Sequence, residues 1–133
     1  MKELPKSFYL LLAEDSHIFN WDMLCSCYVI PEHVLQDHIY KVIPHVWRKQ
    51  SVSLDFCLNN SDKINFFLLS FNNNIKEEVL RHFKDQMKWL YFSKNYPFTK
   101  ELIIEFVDYI NFDYLLRNEN ISQEVKDYCR MFI

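Results

Sequence analysis

The sequence predicts an all-α fold, an α-solenoid-like array of helix–turn–helix repeats. Three observations lead there. The chain of 133 residues contains no glycine, where average usage gives roughly nine. An aromatic residue after a polar one recurs at a fixed step. Within each interval, apolar residues follow helical spacing.

The missing glycine excludes more than it includes. Phosphate-cradling loops, dinucleotide fingerprints and tight primed hairpins all use glycine for positive φ or for close backbone approach. Helices with Asn or Asp at their turns remain open. Half of the residues are hydrophobic and 17% are aromatic, which is enough apolar surface to offset chain entropy and argues against disorder. The net charge of −3 lacks the basic excess of a DNA-coating protein.

The repeat is read from Trp21, Phe66, Trp89 and Phe112, each preceded by Asn or Lys. The step from Phe66 to Trp89 and from Trp89 to Phe112 is 23. Pro44 stands in the corresponding place of the remaining interval, with one deletion. One domain, 1–133, is expected, with an N-terminal cap over 1–18 and repeats at 19–41, 42–63, 64–86, 87–109 and 110–133. Two further columns agree: Ile30, Val52, Ile75, Phe98 and Ile121, then Val34, Phe56, Val79, Leu102 and Val125. Leu4-Pro5-Lys6-Ser7-Phe8-Tyr9 looks like Ile30-Pro31-Glu32-His33-Val34-Leu35, the second half of an earlier unit.

Each unit is expected to hold a short helix, a turn and a longer helix. Short helices start after Asn20, Asn65 and Asn111 and end near Asn72, Asn95 and Asn118. Those asparagines are expected in the left-handed conformation that glycine would otherwise supply. For the longer helices, Asn74 with Glu77, and Asn120 with Gln123, are read as capping boxes. Pro31 and Pro97 fall near helix starts. One such unit cannot cover its own apolar face, so stacked neighbours are required.

The pattern Asn-Trp/Phe, two apolar residues, Asn, then Ile-x-x-Glu-Val-Leu, Phe-x-Asp and Ile-Asn-Phe resembles short helical repeats of uncharacterised proteins in large DNA viruses. The resemblance spans 19–132, and Ile64–Phe132 carries it best. It implies a viral or phage accessory protein whose work is interaction, and it supplies no catalytic residue.

Chemistry-bearing groups read mostly as structure. Cys25 and Cys27 are two residues apart on a helix, so their thiols diverge by about 200° and cannot share a zinc ion. His17, His33, His38, His45 and His82 lack an orienting partner and an oxyanion site. Glu32, Glu77, Glu78, Glu101 and Glu124 sit in first turns, where a negative charge meets the helix dipole favourably. Trp21 and Trp89 share the repeat column and read as core. Trp47 falls outside that column, among Arg48, Lys49 and Gln50, and is read as an exposed anchor.

The turns within units are expected to form one polar, mildly basic edge. With Trp47, that edge gives the candidate binding residues Trp47, Arg48, Lys49, Asn72, Asn73, Lys94, Tyr96 and Arg117. No catalytic residue, metal or cofactor is expected. The partner is expected to be a host-encoded protein, with a host defence complex as one target. RNA or single-stranded nucleic acid is the alternative. A cytoplasmic setting, no membrane span and free thiols are expected. The apolar C-terminus, Tyr128 to Ile133, suggests a homodimer through an end unit.

Overall fold

The computed structural model describes residues 2–15 and 20–133. His17 and Phe19 lie outside the described residues. The fold is all-α. Eleven helices are described: α1 (Lys6–Asp15), α2 (Trp21–Cys27), α3 (Glu32–Asp37), α4 (Ile39–Lys49), α5 (Leu54–Asn59), α6 (Phe66–Leu69), α7 (Glu77–Phe83), α8 (Trp89–Asn95), α9 (Lys100–Glu105), α10 (Phe112–Leu115) and α11 (Gln123–Cys129). Two-residue strands β1 (Lys2–Glu3) and β2 (Tyr28–Val29) pair in parallel.

None of these helices is long enough to be stable alone in water, where about 12–15 residues are marginal. Packing therefore holds them. Contacts join neighbouring first helices, α2 with α4, α4 with α6 and α8 with α10. Second helices pack likewise, α5 with α7 and α9 with α11. The column Ile30, Val52, Ile75, Phe98, Ile121 is buried throughout. In the next column Val34, Phe56, Val79 and Leu102 are buried, and Val125 is half-buried against the core.

Helix starts follow local chemistry. Asn20, Asn65 and Asn111 cap α2, α6 and α10, and their side chains accept from Met23, Leu68 and Tyr114 backbone N–H groups. Each cap satisfies one of the orphan donors at a helix N-terminus. The capping boxes are corrected. Asn74 and Asn120 are not N-caps; their Nδ2 groups donate to the last carbonyls of α4 and α8, Lys49 O at 3.2 Å and Asn95 O at 2.7 Å, while α7 follows Lys76 and α11 follows Ser122. Ser53, Thr99 and Ser122 cap α5, α9 and α11 by accepting from Phe56, Leu102 and Val125. Helix lengths also differ from expectation. The second helix is longer only in α6/α7 and α10/α11, and α4 runs eleven residues through Pro44.

The turn asparagines are corrected too. Among the described residues none has positive φ. Asn72 is fully buried. Its Nδ2 donates to the carbonyls of Trp47 and Gln50, both at 2.8 Å, and its Oδ1 accepts from Asn74 N–H at 2.8 Å. Asn118, also fully buried, repeats this with Ser93 at 2.9 Å, Tyr96 at 2.8 Å and Asn120 N–H at 2.7 Å. Gln50 donates to Cys25 at 2.6 Å and Tyr28 at 2.7 Å. In all three cases the carbonyls lie 25 and 22 residues back in the chain. A side-chain amide thus ties the end of one first helix to the turn of the next pair.

The α8/α9 pair departs from this. α8 continues to Asn95, whose Nδ2 bonds back to Tyr91 O at 2.7 Å. Pro97 disfavours helical backbone at Tyr96, which is extended at φ −76°, ψ 140°. The Tyr96 hydroxyl then reaches Ile75 O at 2.8 Å and supplies the inter-pair bond. A second recurring bond uses serine. Ser70 Oγ accepts from Lys88 N–H at 2.9 Å and Ser93 Oγ from Asn111 N–H at 3.0 Å.

Asn72→Ala or Asn118→Ala removes two donors and strands buried carbonyls, which costs about 1–3 kcal/mol for each group left unpaired. We expect either change to destabilise the fold by about 2–4 kcal/mol in urea denaturation. Exposed Asn73→Ala should stay within about 0.5 kcal/mol of the parent. Equal effects at the two positions would refute the buried-bridge assignment.

Candidate functional site

The eight candidate binding residues do not stay together. Trp47 is corrected from an exposed anchor to fully buried core. It lies three residues after Pro44, as Leu24 does after Trp21, Leu69 after Phe66, Phe92 after Trp89 and Leu115 after Phe112. All five of those side chains are at most 2% exposed. The Trp47 ring packs 6.0 Å from Phe56 between centroids, and its Nε1–H donates to Lys63 O at 2.8 Å. Asn72 and Tyr96 are likewise corrected, being buried in the inter-pair bonds. Arg48, Asn73, Lys94 and Arg117 are exposed, and Lys49 is half-buried.

Of these, Lys94 and Arg117 share a setting. They line an open, mostly polar pocket of about 280 Å³ with Asn95, Glu119 and Asn120. The Arg117 guanidinium stands 5.4 Å from the Tyr114 ring centre. Neither Lys94 nor Arg117 belongs to an ion pair among the described residues.

Beside that pocket is a surface that sequence reasoning missed. The Phe67, Phe71 and Tyr91 rings form a triangle with centroid separations of 5.1, 5.2 and 5.3 Å. Phe67 is 47% and Tyr91 39% exposed. Leu90 next to Tyr91 is exposed as well. A signal existed. α6 is four apolar residues, Phe66 to Leu69, followed by Ser70 and Phe71. A helix apolar all round either buries every side or presents one, and a single-turn helix at the surface presents one.

The second helices have a different face. Arg81 bridges Glu105 at 2.7 Å and Glu77 at 2.9 Å, and Lys100 bridges Glu124 at 2.8 Å. Hydrogen bonds from Arg81 and Lys100 hold the Glu105 and Glu124 carboxyls below the usual range. A lowered folded-state pKa gives stability that is present above the ordinary glutamate value, about 4.3, and is lost as pH falls through the lower folded value. These groups are exposed, so the contribution is small.

The first-turn acids stand where expected, at Glu32, Glu77, Glu78, Glu101 and Glu124. Glu32 also bonds both Ser53 N–H and Oγ, at 2.9 and 2.7 Å. Among the described residues no cluster of His, Cys, Asp or Glu could hold a metal ion. His82 is exposed beside Phe83, His38 lies 5.2 Å from the Trp21 ring, and His45 pairs with Asp22 at 3.2 Å. No described helix is long and apolar enough to cross a membrane. No family model, curated protein or solved structure matches the chain.

Cys25 is buried and Cys27 exposed on the same helix, so the two thiols do diverge. Burial pushes the Cys25 and Cys57 thiols up to about 12 and also raises Cys129. The thiolate is the reactive form. Iodoacetamide at mildly alkaline pH should therefore label Cys27 in the native protein and the other three only after unfolding, read by peptide mass. Labelling of Cys25 or Cys57 as fast as Cys27 would contradict the packing.

Proposed function

We propose that the chain is a short solenoid-like array of helix pairs that acts as a protein-binding module. In this reading it is a viral or phage accessory protein in the host cytoplasm, directed at a host protein, with a defence complex as the target class. It performs no catalysis. The array reading is supported by bonds that recur 22 and 25 residues apart at Gln50, Asn72 and Asn118. The viral and host parts rest on the sequence resemblance alone.

The observation that carries the binding reading is the exposed ring triangle of Phe67, Phe71 and Tyr91 beside Lys94 and Arg117. Aromatic residues and Arg are enriched where proteins meet, which fits the three rings and Arg117. An exposed apolar cluster rimmed by polar groups marks an interaction site more often than an idle surface. A second reading, single-stranded RNA, is favoured by Tyr91 and Tyr114 standing near Lys94 and Arg117, since bases stack on such rings. Few cations are present, so the electrostatic share would be small.

Self-association through the C-terminal end is a further part of the proposal. There Phe132 stacks on Phe112 with centroids 5.6 Å apart, while Met131 and Ile133 are 78% and 71% exposed.

Affinity capture with the tagged full chain from a lysate of the natural host should recover one protein near one-to-one stoichiometry, identified by mass spectrometry. The interaction should persist in moderate salt. Recovery of RNA alone, lost steeply with salt, would favour the second reading. Recovery of neither would remove the module reading.

A further inference from the structure

We infer that the outer face of α6, α8 and α10 docks an acidic protein segment anchored by an aromatic or aliphatic side chain. This rests on the protein-binding reading and gives the partner a chemistry.

The repeat aligns the surface into rows. Phe71, Lys94 and Arg117 are 23 residues apart in turn, and Lys49 stands 22 before Phe71. One row at the ends of the first helices therefore carries three cations and a ring. The row beside it holds Leu68, Tyr91 and Tyr114, at the same step. The contacts confirm that these rows touch. Phe71 meets Tyr91, and Lys94 and Arg117 share one pocket.

Charge is sorted between the two faces. On the second helices, Arg81 and Lys100 are matched with Glu77, Glu105 and Glu124. On this face Lys94 and Arg117 are in none of the ion pairs among the described residues. The pocket between Lys94 and Arg117 contains one carboxylate, Glu119, so one positive charge is left over. A chain of net charge −3 thus presents two unpaired cations, Lys94 and Arg117, along one row, while the row of Phe67 and Leu90 ends on the exposed carboxylate of Asp113. Complementary charge on a partner adds encounter rate and register to such a contact.

The apolar half decides between partner classes. Phe67, Leu90 and Tyr91 are each about 40–50% exposed. Burying such rings in a partner's pocket, or a partner's ring among them, is the usual hot-spot contact. A nucleic acid backbone needs many cations, and the pocket on this face offers two, Lys94 and Arg117. An acidic segment with a hydrophobic anchor uses both halves.

The test is selection of a random peptide library, displayed on phage, against the immobilised full chain. Selected peptides are then synthesised and titrated by fluorescence anisotropy. We expect them to carry Asp or Glu around Trp, Phe or Leu. Lys94→Glu with Arg117→Glu should weaken their binding about tenfold or more, and so should Phe67→Ser with Tyr91→Ser. Arg81→Ala, on the other face, should leave affinity unchanged. Circular dichroism checks that each variant keeps its helices.

Peptides without acidic bias, or affinities indifferent to the face variants, would overturn the assignment of this face while leaving a binding module in place. Tighter binding of single-stranded polyuridine than of any selected peptide would overturn it in favour of nucleic acid. Failure to select any peptide would overturn docking of a short segment. The module reading itself falls only with an empty host capture, whatever the peptide selection gives.

Discussion

Carbonyls at the C-terminal end of a helix have no partner within that helix. No described residue of this chain takes the left-handed turn that usually satisfies them. Here Gln50, Asn72 and Asn118 do so from the following helix pair, and each donates two hydrogen bonds from one amide. The same bonds satisfy the buried amide. Among the described residues no buried side-chain nitrogen or oxygen lacks a partner. Such a network is directional in a way that apolar contact is not, so it fixes how far one pair lies from the next. Helices of four to seven residues, such as α6 and α7, keep their places because neighbours do.

Much of the architecture was legible in the sequence because it lives in columns. Ile30, Val52, Ile75, Phe98 and Ile121 share one environment, and only a periodic packing demands the same residue class at each step. Asn20, Asn65 and Asn111 were legible for a local reason, since an N-cap needs a short acceptor side chain directly before the helix. The second-helix caps were misplaced because Asn74 and Asn120 match a capping pattern by spacing. The true caps, Ser53, Thr99 and Ser122, immediately follow the aliphatic column. Asn72 and Asn118 look like left-handed turn residues by local pattern, yet neither has positive φ. Their role depends on carbonyls 22 and 25 residues away, which no local pattern reveals.

The candidate site was less legible. Trp47 was judged against one column and belongs to another, the buried row of Leu24, Leu69, Phe92 and Leu115. Pro44 hides the connection, because it replaces the aromatic that marks the register elsewhere. Tyr96 lay in a polar turn by sequence, yet Pro97 extends its backbone and sends its hydroxyl into the interior. Lys94 and Arg117 were identified because charged residues in turns face water. The ring triangle was not, because Phe67 and Tyr91 look like ordinary core residues. Their exposure follows because α6 and α8 each turn one side to the core, through Leu69 and Phe92, and leave the other to solvent.

The proposed binding role draws on this division of labour. Buried amides and serines hold the register, so the outward rows can vary without disturbing the core. That independence is what makes repeat architectures useful as binding surfaces. The amide bridges themselves are open to measurement by proton exchange in a ¹⁵N-labelled sample. The side-chain NH₂ groups of Gln50, Asn72 and Asn118 should exchange slowly, on the scale of global unfolding, while that of Asn73 exchanges at once. Rapid exchange at Asn72 and Asn118 in the folded protein would mean that the bridges are absent and that the register has another cause.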